Sequence, residues 1–123
     1  MLEGVAFSLK DCFAIIREQG LPIKQVCATG GGAKSPVWRQ IIADVLGVEL
    51  VTTSASEGPA FGAALLAGVA SGLYPTIQQA CEITVHVLER TAPRSGVERI
   101  YAQAYQTYRA LYPALKPIIS RPL

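Results

Sequence analysis

The sequence predicts an α/β fold in which short β-strands pack with several α-helices. Three observations predict it. Apolar residues recur at helical spacing near both ends of the chain, two short β-prone runs (Ile23–Ala28 and Val48–Thr52) lie between turn signals, and a glycine cluster at Gly30, Gly31 and Gly32 joins the first run to a capped helix. At 123 residues the chain fits one compact domain, residues 1–123, and has no room for a second.

Leu2, Val5, Leu9, Phe13 and Ile16 recur at helical spacing and Glu3, Lys10, Arg17 and Glu18 fall elsewhere on the wheel, so the first element is an amphipathic helix. Gly20 ends it and Pro22 prevents its continuation. Ile23 to Ala28 then reads as a buried strand. After the glycines, Ser35 is placed to cap a helix and Pro36 suits its first position, where a missing N–H costs nothing. Val37, Trp38, Ile41, Ile42, Val45 and Leu46 form a continuous stripe, with Trp38 as a core anchor. Gly47 stops that helix, Val48 to Thr52 is a second strand, and Thr53 to Gly58 is a loop in which Glu57 caps or complements the dipole of the next helix. Pro59 to Ala70 is helical and apolar nearly all round, which predicts packing on several sides, with Gly62 and Gly68 permitting close approach. Gly72 and Pro75 break the chain, and Thr76 caps a short helix through about Cys81. Thr84 to Leu88 is ambiguous, with extended the nearer reading. Beyond a turn at Arg94–Gly96, Ile100, Tyr101, Ala104, Tyr105, Tyr108, Leu111 and Tyr112 trace one face of a last helix that Pro113 and Pro117 limit.

Composition excludes several classes. A net charge of +2 with scattered Lys and Arg makes no basic stripe for nucleic acid. No apolar run reaches the roughly 18 residues that span a bilayer, and Met1-Leu2-Glu3-Gly4 has no secretory signal character, so a cytoplasmic protein without membrane or nucleic-acid partners is expected. Cys12, Cys27 and Cys81 are odd in number and flanked by apolar residues, which predicts buried free thiols and no metal site. Hydrophobic residues reach 50% and charged ones only 16%, leaving apolar surface for a partner or a homo-oligomer.

The segment with the most chemistry in it is Cys27-Ala-Thr-Gly-Gly-Gly-Ala-Lys-Ser-Pro. Glycines between a strand and a helix start let the backbone approach a phosphate, and helix-start N–H groups supply donors. A tight βα connection explains the same turn. The P-loop pattern fails, since it needs glycine where Ala28 and Ala33 stand around Lys34-Ser35. A dinucleotide fingerprint fails at Ser35 and lacks an acidic residue after Thr52-Thr53.

Gly-Gly-Gly-Ala-Lys-Ser-Pro-Val-Trp-Arg-Gln (Gly30 to Gln40), Ala-Asp-Val-Leu-Gly (Ala43 to Gly47) and Glu-Gly-Pro-Ala-Phe-Gly-Ala-Ala-Leu-Leu-Ala-Gly (Glu57 to Gly68) closely resemble the C-terminal region of FGGY-family carbohydrate kinases, xylulokinases in particular. A looser resemblance extends through Tyr105 to Pro113. The resemblance implies half of an actin-like (ribonuclease H-like) ATPase fold with a nucleotide cleft between domains. It implies ATP or ADP binding at Gly30, Gly31, Gly32, Ala33, Lys34 and Ser35, with the phosphates and ribose near Gly31, Gly32 and Ala33 and the adenine bordering Lys34, Ser35 and Pro36. Related glycerol kinases carry asparagine where this chain has Pro36, and proline has no N–H to offer the base. For the whole enzyme it implies ATP, Mg2+ and a ketopentose, D-xylulose becoming D-xylulose 5-phosphate.

Kinases of this family use an aspartate as general base and an N-terminal Asp-x-Gly-Thr turn to hold phosphate and magnesium. Neither motif occurs here. Asp11 and Asp44 lie within predicted amphipathic helices and read as solvated, and His86 in Val85-His-Val87 has no acidic partner nearby in sequence. No catalytic residue is therefore assigned. The chain is expected to be the C-terminal nucleotide-binding portion of a larger enzyme, inert alone because one cleft wall cannot neutralise charge from both sides. A stand-alone actin-like binding or assembly module is the alternative.

Overall fold

A computed structural model describes residues 2–55 and 58–119. The Glu57 capping expectation lies outside those residues.

The sheet grows around one central strand. Gln25–Cys27 (β1) lies parallel to Glu49–Thr53 (β2), with Val26 opposite Leu50, and Val87–Thr91 (β3) adds antiparallel to the other side of β2. A parallel pair needs a long crossover. Pro36–Leu46 (α2) supplies it. Its ends are set locally: Ser35 Oγ accepts the Trp38 N–H at 3.3 Å, Pro36 takes the first position, and Gly47 closes the helix with φ 67° in the left-handed region.

Leu2–Glu18 (α1) and Glu98–Ile119 (α5) join α2 in a second layer. One part of the core unites Phe13, Ile42, Leu46, Val48 and Leu50 between helices and sheet. The other surrounds Phe7 and Val45 with Tyr101, Tyr105 and Tyr108 of α5, and half-buried Trp38 packs against both. Gly58–Ala70 (α3) and Ile77–Thr84 (α4) pair with each other, and Gly68 meets Tyr74 where a Cβ would lie 2.9 Å from the ring. Gly68 thus permits the close approach expected of it, whereas Gly62 has open space.

Several sequence expectations are corrected. The first strand is shorter than Ile23–Ala28 and lies at a sheet edge, which leaves Gln25 and Cys27 exposed. The buried side of α1 is Ala6, Phe7 and Phe13, while Leu2, Val5, Leu9 and Ile16 remain 42–53% exposed. Cys12 and Cys27 are exposed and Cys81 is half-buried, because their elements turn other side chains inward. Helix α3 is not packed on several sides: of its residues only Leu65 and Gly68 are buried, since α4 covers just one flank. Pro113 and Pro117 lie inside α5 rather than limiting it. Each removes one internal hydrogen bond, but the two sit four residues apart on one stripe of a helix that buries no residue, so water satisfies the freed carbonyls. The ambiguous Thr84–Leu88 segment divides between the end of α4 and the start of β3.

Candidate functional site

The chain leaves β1 at its C-terminal end, where the Ala28 N–H donates to the Val51 carbonyl at 2.8 Å. It then enters the glycine turn. Gly30 adopts φ 83° and ψ −177°, a backbone state essentially restricted to glycine, and residues Gly31–Lys34 wind into one 3-10 turn. Ala33 N–H donates to the Gly30 carbonyl and Ser35 N–H to the Gly32 carbonyl, both at 3.1 Å. The amides of Gly31 and Gly32 have no backbone acceptor outside the turn among the described residues.

The three glycines have different reasons to be glycine. Gly30 needs its dihedral angles. Gly32 lies over Trp38, where a Cβ would come within 3.2 Å of the indole. Gly31 needs neither, because its φ is not positive and a Cβ there meets nothing within 4 Å. No internal constraint therefore demands a bare backbone at Gly31.

Beside the turn lies a pocket of about 260 Å³. Gly30, Ala33 and Lys34 form one wall, Thr52 and Thr53 at the end of β2 another, and Leu88 and Glu89 of β3 a third. The C-terminal ends of parallel strands are where open α/β sheets hold ligands. The register of β2 against β3 shifts between Thr52 and Thr53, leaving Leu88 extra in the manner of a β-bulge that re-aims the rim. Of the six residues singled out in sequence, Gly30, Ala33 and Lys34 line the pocket. Gly31 and Gly32 lie exposed on the turn, and Ser35 serves as the cap of α2.

Two charged residues at this site escaped sequence reading. Arg39 is buried beneath the turn, its Nη1 donating to the Ala33 carbonyl at 2.6 Å and its Nη2 to the Glu89 carboxylate. A signal for Arg39 did exist: Ile42, Ala43 and Leu46, which follow it by three, four and seven residues, are all buried. Glu89 carried none, since its contact spans 50 residues of sequence.

The remaining polar candidates have structural partners. Asp44 is not solvated as expected: its side chain is 0% exposed. Both its oxygens are occupied, Oδ1 by the Arg94 backbone N–H at 2.7 Å and Gln40 Nε2 at 2.9 Å, Oδ2 by the Arg94 guanidinium at 2.7 and 2.9 Å. Burial alone would raise its pKa, but these donors outweigh burial and hold the carboxyl below the usual carboxylate range. Asp11 is half-buried and accepts from the Tyr105 hydroxyl. Burial, then that bond to Asp11, raises the Tyr105 pKa. His86 is exposed and its backbone N–H and carbonyl both pair with Ser54.

Residues 1–71, more than half of the chain, match the C-terminal domain of the FGGY family of carbohydrate kinases. The chain belongs to this family. It is 35% identical over 118 residues to the xylulose kinase of Staphylococcus epidermidis, covering 96% of this chain and 24% of that protein. It is 38% identical over 116 residues to the ribulokinase of Vibrio parahaemolyticus, covering 90% and 20% respectively. The crystal structure of xylulose kinase from Rhodospirillum rubrum superposes with a TM-score of 0.80 at 29% identity, covering 98% of this chain and 24% of that one. This FGGY chain thus spans about a quarter of the length of these relatives. Its architecture, helix-rich with a small mixed sheet, is the expected part of the actin-like fold of the FGGY kinases. No helix among the described residues is long and apolar enough to cross a membrane.

Proposed function

We propose that this chain is the nucleotide-binding wall of an ATP-dependent sugar kinase and binds ATP or ADP at Gly30–Ser35. The observation that carries the reading is the 3-10 turn itself, held at the C-terminal end of a parallel strand and opening on the pocket shared with Thr52 and Thr53. Its exposed Gly31 and Gly32 amides lack backbone acceptors outside the turn, and no Cβ hinders a phosphate at Gly31. Lys34 brings a cationic side chain to the pocket wall, where Arg39 is paired with Glu89. The adenine lies toward Pro36, with contacts other than a backbone N–H at that residue.

For the whole protein, a carbohydrate hydroxyl is the phosphoryl acceptor. Relatives named for xylulose and for ribulose both support a ketopentose, and D-xylulose going to D-xylulose 5-phosphate is the reading preferred here. Among the described residues no group of three or more His, Cys, Asp or Glu side chains is placed to hold a metal. Mg2+ would come with the nucleotide phosphates and be held mainly by the N-terminal part of the enzyme. Asp44 is committed to Arg94 and Asp11 to Tyr105, so neither aspartate is free to act as a base. Most of the sugar contacts, the general base and the opposite cleft wall belong to the rest of the kinase, in a protein that works in the cytoplasm.

Amide NMR with Mg-ADP tests the reading. Shifts should cluster at Gly30–Ser35, and Gly31→Ala should weaken them while leaving the melting temperature unchanged or slightly raised. Shifts confined to other surfaces, or none at millimolar nucleotide, would refute it. The chain alone should show no xylulose-dependent ATP turnover above a blank.

A further inference from the structure

We propose that Arg39 is a positioning residue that fixes the glycine turn in the shape its anionic ligand needs, working through the Ala33 carbonyl and anchored by Glu89. The proposal rests on the reading of the turn as a nucleotide site. Arginine cannot shed its charge in a protein, so burying it is unfavourable unless its donors are met. Here the side chain is 6% exposed, in line with Ile42, Ala43 and Leu46, where a Leu or Met would complete the apolar stripe at no electrostatic cost. Packing therefore does not explain an arginine.

Its bonds do. One guanidinium nitrogen holds the Ala33 carbonyl from below, a second holds Glu89 in β3, and the buried Nε has no partner. Its backbone N–H makes the ordinary first-turn helix bond to the Ser35 carbonyl at 3.0 Å, so the residue that reaches Ala33 is itself fixed next to the helix cap. A carbonyl at the end of a 3-10 turn presents negative potential beside a pocket meant for phosphate. Captured by the guanidinium, that carbonyl no longer turns its negative end toward an anion, while Glu89 balances the charge of Arg39 and holds the fork in place. Glu89 stands opposite Thr52 and borders the same pocket, so the strut also ties the turn to the rim of β2 and β3.

Three variants of this chain test it: Arg39→Met, Arg39→Lys and Glu89→Gln, each followed by thermal melting, amide NMR and titration with Mg-ADP. Arg39→Met should disturb the amides of Gly31–Ser35 selectively and weaken Mg-ADP at least tenfold. Arg39→Lys, charged but without the fork, should recover part of the affinity, and Glu89→Gln should weaken it by a smaller factor. Unchanged turn amides, with affinity within twofold of the parent, would overturn the proposal, as would changes spread evenly over α2 and the sheet. Should Arg39→Met not fold, the Lys and Gln variants are judged by the same two readouts. Should the parent itself bind no Mg-ADP, the nucleotide reading fails separately, and the strut stands or falls on the turn amides alone.

Discussion

Gly30 shows how a single residue governs the candidate site. Its φ of 83° and ψ of −177° exclude side-chain-bearing residues, yet a Cβ there would meet nothing within 4 Å, so the penalty of substitution lies in the backbone alone. Gly30→Ala should lower stability by about 1–3 kcal/mol in urea denaturation. Gly32→Ala acts differently, pressing on the indole of Trp38 and moving its fluorescence. Asp44 makes the pH prediction. Because its carboxyl is held below the ordinary carboxylate range in the folded chain, its contribution is fully present above the unfolded pKa near 4 and is lost as pH falls through the lower folded value. Stability measured from pH 6 downward should therefore drop below about pH 4, and Asp44→Ala, with about 1–2 kcal/mol lost at neutral pH, should flatten that decline. An equally steep acid limb in the variant would contradict this.

At the scale of elements, α5 depends on a small aromatic anchor. It buries no residue fully, and its hold on α1 comes from Tyr101, Tyr105 and Tyr108 around Phe7, with ring centroids 5.6–6.4 Å apart. Lys10 and Arg109 lie against the Tyr105 ring, and burial, then Arg17, lowers the Lys10 pKa. Phe7→Ala should cost about 3–5 kcal/mol and, in hydrogen exchange, strip protection from α5 before the sheet. Simultaneous loss in both would mean α5 and the sheet form one cooperative unit. Element ends were legible in sequence wherever a cap decides them locally, as at Ser35, Gly47 and Thr76. The prolines of α5 misled because their cost depends on whether a helix must be buried.

Across the whole molecule, apolar surface exceeds what the fold covers. Leu2, Val5, Leu9 and Ile16 form an exposed stripe on α1, and Leu66, Leu73 and Ile83 are 60–71% exposed around α3 and α4. Tyr101, Tyr105 and Tyr108 are taken up by Phe7 within the chain, which leaves the open stripes of α1 and α3, together with Tyr112 at 63% exposure, as the surface for association. Analytical ultracentrifugation should show concentration-dependent self-association, and Leu9→Glu combined with Leu66→Glu should abolish it. A monomer at every concentration would rule out association through these faces.

Sequence alone determined the family, through its ordered motifs, and also the glycine turn and the elements other than β3, because these last depend on neighbours a few residues apart: caps, dihedral needs and apolar period. Only the tertiary structure decided which apolar stripe of α1 faces inward, that no cysteine is fully buried, and that α3 is left half bare. It also decided the state of the buried charges. Arg39 meets Glu89 and Asp44 meets Arg94 across 50 residues of chain, and a charge is silent in sequence about whether water or a distant partner satisfies it.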